Sequence, residues 1–164
     1  MERIVDVAAY ICDEYQKQQD ALIGETKLHK LLYLSQREML AIINKPLFVE
    51  PLEGWRHGPV STRVRSLFRD GKIDAETKNI SNEAKYVINN VISSYGGYSA
   101  NQLSNLTHSE ISWQNTRRGL SQDADGHIAL SLDDIREDAK KVRPYDHIFD
   151  MYYDEFDDAE DEKQ

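Results

Sequence analysis

Residues 26–43, TKLHKLLYLSQREMLAII, constrain the fold more than any other stretch of the chain. Leu28, Leu31, Leu32, Ser35, Met39, Ile42 and Ile43 recur at three- and four-residue spacings, which places them on one wide apolar stripe of a helix. Lys27, Lys30, Arg37 and Glu38 fall mostly away from that stripe and are expected on the outer side. A stripe this wide has to be covered by other elements, so the pattern predicts a helix at the centre of the core. Thr26 is the expected N-cap, its hydroxyl accepting from a free N–H of the first turn. Asn44, Lys45 and Pro46 end the helix, because the ring of Pro46 disfavours helical geometry at Lys45 and supplies no donor.

The other segments read as shorter partners for this helix. Ile4, Ala8, Ile11, Cys12 and Tyr15 share one face of a first helix over 3–18, and Gly24 breaks the chain before the next element. Residues 47–60 contain Pro51, Gly54, Gly58 and Pro59, which predicts a turning connection with a short strand near 52–56. Pro59 is expected in the first turn of a short helix whose inner face is Val60, Val64, Leu67 and Phe68 and which Gly71 stops. Ser81 caps a helix over 82–95, closed by Gly96 and Gly97, and Ser99 starts another through Leu103 and Leu106. Ile111 and Trp113 mark a further short helix, 122–126 a polar turn and 127–131 a brief strand. Ser131 with Asp134 resembles a capping box for a helix over 132–142. A last helix over 145–156 runs into a nearly pure acidic end. The expected architecture is mainly α: a compact multi-helix domain around a central amphipathic helix, with two or three short strands. Residues 1–149 form the domain and 150–164 a flexible acidic tail.

Charge separates these two parts. The chain carries a formal −9, yet residues 150–164 hold eight carboxylates against Lys163, leaving only −2 on residues 1–149. Such a balance lacks the concentrated basic face that phosphate-backbone binding requires, and the tail would attract a basic partner. No apolar run reaches the roughly 20 residues that span a bilayer, and no signal peptide is expected before the first helix. The single cysteine, Cys12, sits among apolar residues as a small hydrophobe and suits a reducing cytoplasm.

Catalytic patterns are missing from the sequence. It has no GxSxG, no GxxxxGK[ST] and no GxGxxG, so nucleophile elbow, phosphate loop and dinucleotide turn all lack their physical basis. His29, His57, His108, His127 and His147 are too dispersed for paired zinc ligands, and Asp123-Ala124-Asp125-Gly126 lacks the later acid of a calcium loop. No metal or cofactor is expected. Arg63, Arg65 and Arg69 could contact DNA phosphates, but the acidic whole opposes it. Trp55 and Trp113 have two readings, core or hinge aromatics on one side and interface anchors on the other, since Trp and Arg dominate binding hot spots.

The segments TKLHKLLYLSQ, KPLFVEPLEGWRHGPV and LSNLTHSEISWQNTRRG, in this order and spacing, resemble the Panacea antitoxin domain, the SocA-like family often labelled phage-associated. The family's pattern of a KLxKLLY helix, a P-L-F-x-E-x-I-E-A-W-x-x-G-P-V loop and an L-T-H-x-x-x-x-W segment maps onto Lys27 to Tyr33, Pro46 to Val60 and Leu106 to Trp113. The likeness extends over most of residues 1–142. Gly54 stands where the family often has Ala, and Leu52 where it often has Ile.

The resemblance implies an antitoxin that neutralises a cognate protein toxin by direct contact, without catalysis. One family member acts instead as a protease adaptor delivering its toxin for degradation, which is the first alternative; a DNA-binding regulator is the second, and an enzyme with a pocket near His57 and His108 a third. The toxin-binding candidates are Trp55, Arg56, His57, His108 and Trp113, joined by Tyr152, Asp154, Glu155, Asp157 and Asp158 of the tail. The tail is expected to meet a basic face of the toxin.

Overall fold

The computed structural model describes residues 1–73 and 79–142. Its elements follow in the order α1 (Ile4–Gln19), α2 (Glu25–Ile42), β1 (Glu53–Trp55), β2 (Gly58–Val60), α3 (Thr62–Arg69), α4 (Asn82–Tyr95), α5 (Ala100–His108), α6 (Ile111–Thr116) and α7 (Leu132–Ala139). The expected final helix over 145–156 and the acidic tail lie outside the described residues.

The domain is mainly α and is organised around α2, as the periodicity predicts. Helices α1, α4, α5 and α7 and strand β2 all pack on it. The consequence exceeds the expectation, because every residue from Leu28 to Leu40 is buried, not only the apolar stripe. Lys30, Arg37 and Glu38 therefore do not face outward. A helix enclosed on all sides has no solvated face, so its polar side chains are kept by internal partners. Arg37 pairs with Glu110 at 2.8 Å. Gln36 accepts from the Leu47 N–H at 2.6 Å and donates to the Phe48 carbonyl at 2.8 Å, which pins the chain leaving α2. Lys27, half-buried, donates to the Gly96 carbonyl at 2.7 Å and so places its charge against the C-terminus of α4.

The deepest of these partnerships surrounds Tyr33. Its hydroxyl lies 2.9 Å from Glu110, 3.0 Å from Asp138 and 3.2 Å from Ser112, joining α2, α6 and α7. Asp138 also accepts from the backbone N–H groups of Ile111 at 2.7 Å and Ser112 at 2.9 Å, and thereby caps α6 from a neighbouring helix. Burial works against ionisation of Asp138, but the hydrogen bonds from Ser112, Ile111 and Tyr33 outweigh it and hold its carboxyl below the usual range. Burial first, and the nearby Asp138 charge opposing Arg37, push Glu110 upward. The two acids thus occupy one site with opposite preferences for the proton.

Caps explain most helix ends. Ser81 and Ser99 cap α4 and α5 as expected, and Ser99 forms a reciprocal box with Gln102. Asn44 takes a left-handed φ of 61° just past α2. Gly71 does the same after α3 with φ 67°, and Lys72 N–H reaches the Leu67 carbonyl, a Schellman ending.

Four local expectations are corrected. Gly24, not Thr26, is the N-cap of α2, with Glu25 in its first turn. Pro59 does not open α3 but lies in β2 opposite Gly54; β2 is the outer strand, where a missing donor is tolerated, and Ser61 caps α3. The strand expected over 127–131 is reduced to a single bridge between Ala129 and Glu53, flanked by hydrogen bonds from Gly54 N–H to Ile128 and from Leu130 N–H to Leu52. Ser131 accepts from Asp134 N–H, but the Asp134 carboxylate turns to Asn115, so only half of the expected capping box forms.

Candidate functional site

Strands β1 and β2 form a two-residue hairpin, Trp55 opposite Gly58, with Arg56 and His57 exposed at its tip. Its position is fixed from beneath. Lys30 Nζ, on a side chain only 1% exposed, donates to the His57 carbonyl. Gly58 has φ 131°, and a Cβ there would lie 2.9 Å from Thr107 Oγ1 and closer still to Lys30 Nζ, so both the backbone angle and the space require glycine. Burial lowers the Lys30 ammonium to about 8. From the side, Trp113 Nε1–H donates to the Trp55 carbonyl at 2.7 Å. Arg117, buried, reaches the Gly54 carbonyl at 3.3 Å and the Ala124 carbonyl at 2.6 Å, tying the hairpin to the polar turn over 122–126.

Five of the sequence-derived candidates come together here. Trp55, Arg56 and His57 are in the hairpin. His108, at the end of α5, stacks on Trp113 of α6 at 4.2 Å between centroids with the rings inclined by 14°. Burial, then the Lys30 charge, hold His108 below its ordinary value. Both indoles are half-buried: Trp113 serves the hairpin through its N–H, while Trp55 carries the Arg65 guanidinium over its ring at 4.9 Å and meets His127 edge-on at 5.9 Å. The remaining candidates, Tyr152, Asp154, Glu155, Asp157 and Asp158, lie outside the described residues.

Beside the hairpin, the N-terminal turn of α2, helix α3 and residues 125–127 enclose a cleft of about 520 Å³. Sequence reasoning did not assemble it. Arg65 and Arg69 flank the Glu25 carboxylate, with Nε to oxygen distances of 3.6 and 3.2 Å. His29 lines the inner end. Its Nδ1 accepts from Ser61 N–H at 3.3 Å, which leaves the proton on Nε2, and that atom has no hydrogen-bond partner, with Glu25 3.7 Å away. Burial pushes His29 down to about 4, against the pull of Glu25, so the ring is neutral at pH 7. The available signal was the polar start of α2, where Glu25, His29 and Lys30 stand at four- and five-residue spacing beside the Leu stripe.

Among the described residues no three His, Cys, Asp or Glu side chains converge as metal ligands. No helix among them is long and apolar enough to cross a membrane.

Comparison with known proteins agrees with this segment of the fold. The family model described as "Antitoxin SocA-like, Panacea domain" matches residues 28–114, from the buried face of α2 through the hairpin to α6. No curated protein and no solved structure matches the chain. With more than half of its length matched by that model, and with the Lys30-anchored hairpin inside the matched span, the chain belongs to the SocA-like Panacea antitoxin family.

Proposed function

We propose that this chain is an antitoxin that neutralises a cognate protein toxin by direct binding, with the β-hairpin and its Trp–His flank as the contact surface. The observation that carries the reading is the rigid presentation of the hairpin. Arg56 and His57 are exposed at its tip, while the backbone beneath them is held by a buried lysine and a tryptophan N–H. Preorganised exposed groups lose little freedom on binding, and Trp and Arg are the residue types that concentrate binding energy. Family membership supports a toxin as the partner. The acid-rich residues 150–164 add an expected attraction to a basic face on it.

The test is co-expression with the product of the neighbouring gene, chosen for being toxic when expressed alone. The wild-type chain should restore growth and co-purify with the toxin. An Arg56→Ala/His57→Ala double variant should fold normally, because both side chains are exposed, and should lose roughly tenfold or more in affinity. Equal affinity of the double variant would remove the hairpin from the contact surface. Toxin that persists in the complex supports occlusion, whereas toxin that disappears in a protease-dependent way supports delivery for degradation.

A further inference from the structure

We propose that the cleft between the N-terminal turn of α2, the hairpin and α3 is a docking site for an acidic segment of the partner protein, whose carboxylates pair with Arg65 and Arg69. The inference rests on the protein-binding reading above and extends it to a second surface of opposite charge preference to the acidic tail.

Charge is the first support. In a chain of net −9, the cleft gathers four cationic side chains against only two carboxylates, Glu25 and Asp125. The second support is geometric. Glu25 already shows how a carboxylate sits between the two arginines, yet its nearest approach to each is through Nε, and no hydrogen bond among the described residues uses their Nη groups. A guanidinium presents a fork of donors suited to bidentate carboxylate pairing, and here most of each fork makes no hydrogen bond to a described residue. The third support is a buried side chain. His29 is 3% exposed, lines the cleft, and carries a donor on Nε2 with no acceptor within hydrogen-bond reach, Glu25 lying 3.7 Å away. A buried donor without a partner is costly, and an incoming carboxylate oxygen would satisfy it. Trp55 adds an apolar wall already covered by Arg65 on one face, so a partner's side-chain stem has a surface to lie on.

Glu25 is then an internal competitor for the arginines. Removing its charge should strengthen binding of an acidic ligand, which a purely structural ion pair would not do. Calorimetric titration of the full chain decides the matter, with an N-acetylated, C-amidated glutamate-rich dodecapeptide as the probe and inorganic phosphate and AMP as separate arms. The peptide should bind, and binding should weaken several-fold as salt rises from about 50 to about 200 mM. Arg65→Ala/Arg69→Ala should reduce affinity by roughly tenfold or more. Glu25→Gln should raise it, and Arg63→Ala, exposed on the same helix outside the cleft, should leave it unchanged. No peptide binding at millimolar concentration, or equal binding by the double-arginine variant, overturns the proposal. Binding of phosphate or AMP without the peptide also overturns it, and makes the cleft a small-anion site. Failure of the wild-type chain to neutralise a neighbouring toxin counts against the antitoxin reading alone, since the peptide titration still reports on the cleft.

Discussion

Replacing Gly54 by alanine is the sharpest test of how the hairpin is seated, because the residue is one at which this chain departs from the resemblance described above. A Cβ on Gly54 would lie 2.6 Å from Thr116 Cβ and closer still to Thr116 Oγ1. Ordinary carbon contacts begin near about 3.5 Å, so something must move by about an ångström. Thr116 cannot turn aside cheaply. It is β-branched, it is buried, and its hydroxyl donates to the Trp113 carbonyl at 2.6 Å. Nor can α6 slide away freely, since Trp113 clamps the Trp55 carbonyl. Overpacking of this kind costs about 1 to 3 kcal/mol, which for a chain of this size lowers Tm by about 2 to 12 °C. Urea denaturation followed by tryptophan fluorescence measures it. Thr116→Gly in the same chain removes both clashing atoms, so the double variant should recover at least about 1 kcal/mol relative to the sum of the single changes. Gly54→Ala within about 0.5 kcal/mol of wild type, or simple additivity with Thr116→Gly, would refute the claim that these two residues are fitted to each other.

Other predictions concern the buried polar groups. His29 is held near 4 in the folded chain against about 6.5 when unfolded, so its contribution is present above pH 6.5 and is lost as pH falls from 6.5 towards 4. Stability measured across that window should fall by about 3 kcal/mol from this group, and His29→Gln should flatten the slope; an unchanged slope would show that another group titrates there. Asp138→Ala should cost about 2 to 5 kcal/mol by equilibrium unfolding, because it leaves the Ile111 and Ser112 N–H groups at the start of α6 without their acceptor, while Tyr33 keeps Glu110 and Ser112. Burial raises the Cys12 thiol to about 11, so alkylation of the native chain at pH 8 should be slower than in denaturant by roughly a hundredfold; equal rates would place the thiol in water.

What could be read in advance divides by the range of the interaction. Helix α4 was legible to the residue, since its serine cap and terminal glycine act within a turn of the helix they bound. The existence and centrality of α2 were legible from its stripe. The burial of Lys30, Arg37 and Glu38 was not, because periodicity reports which residues are apolar and says nothing about how many sides of a helix are covered. Their partners are remote: Lys30 meets a carbonyl 27 positions away, and Tyr33 meets Glu110 and Asp138 at separations of 77 and 105. The same distinction governs the site. Trp55, Arg56 and His57 are adjacent in sequence, and His108 and Trp113 lie within one short motif, so a local pattern could name them. The cleft is formed where α3 folds back on the first turn of α2, and a local pattern offers Arg65 and Arg69 only as contacts for DNA.

The capping of α6 by Asp138 makes the recognisable part of this chain something less than a self-sufficient piece. The span shared with the family ends at residue 114, inside α6, yet the helix depends on a carboxylate 24 residues beyond that point and the hairpin depends on the tryptophan that α6 carries. On the other side, α1 lies wholly before residue 28 and supplies Ile4, Val7, Ala8 and Ile11 to the core. Excising 28–114 would therefore leave the signature residues in place and take away what keeps them in position. A shortened version intended for binding work should extend from Ile4 through at least Ala139, with the hairpin's orientation, not the retention of its residues, as the criterion for success.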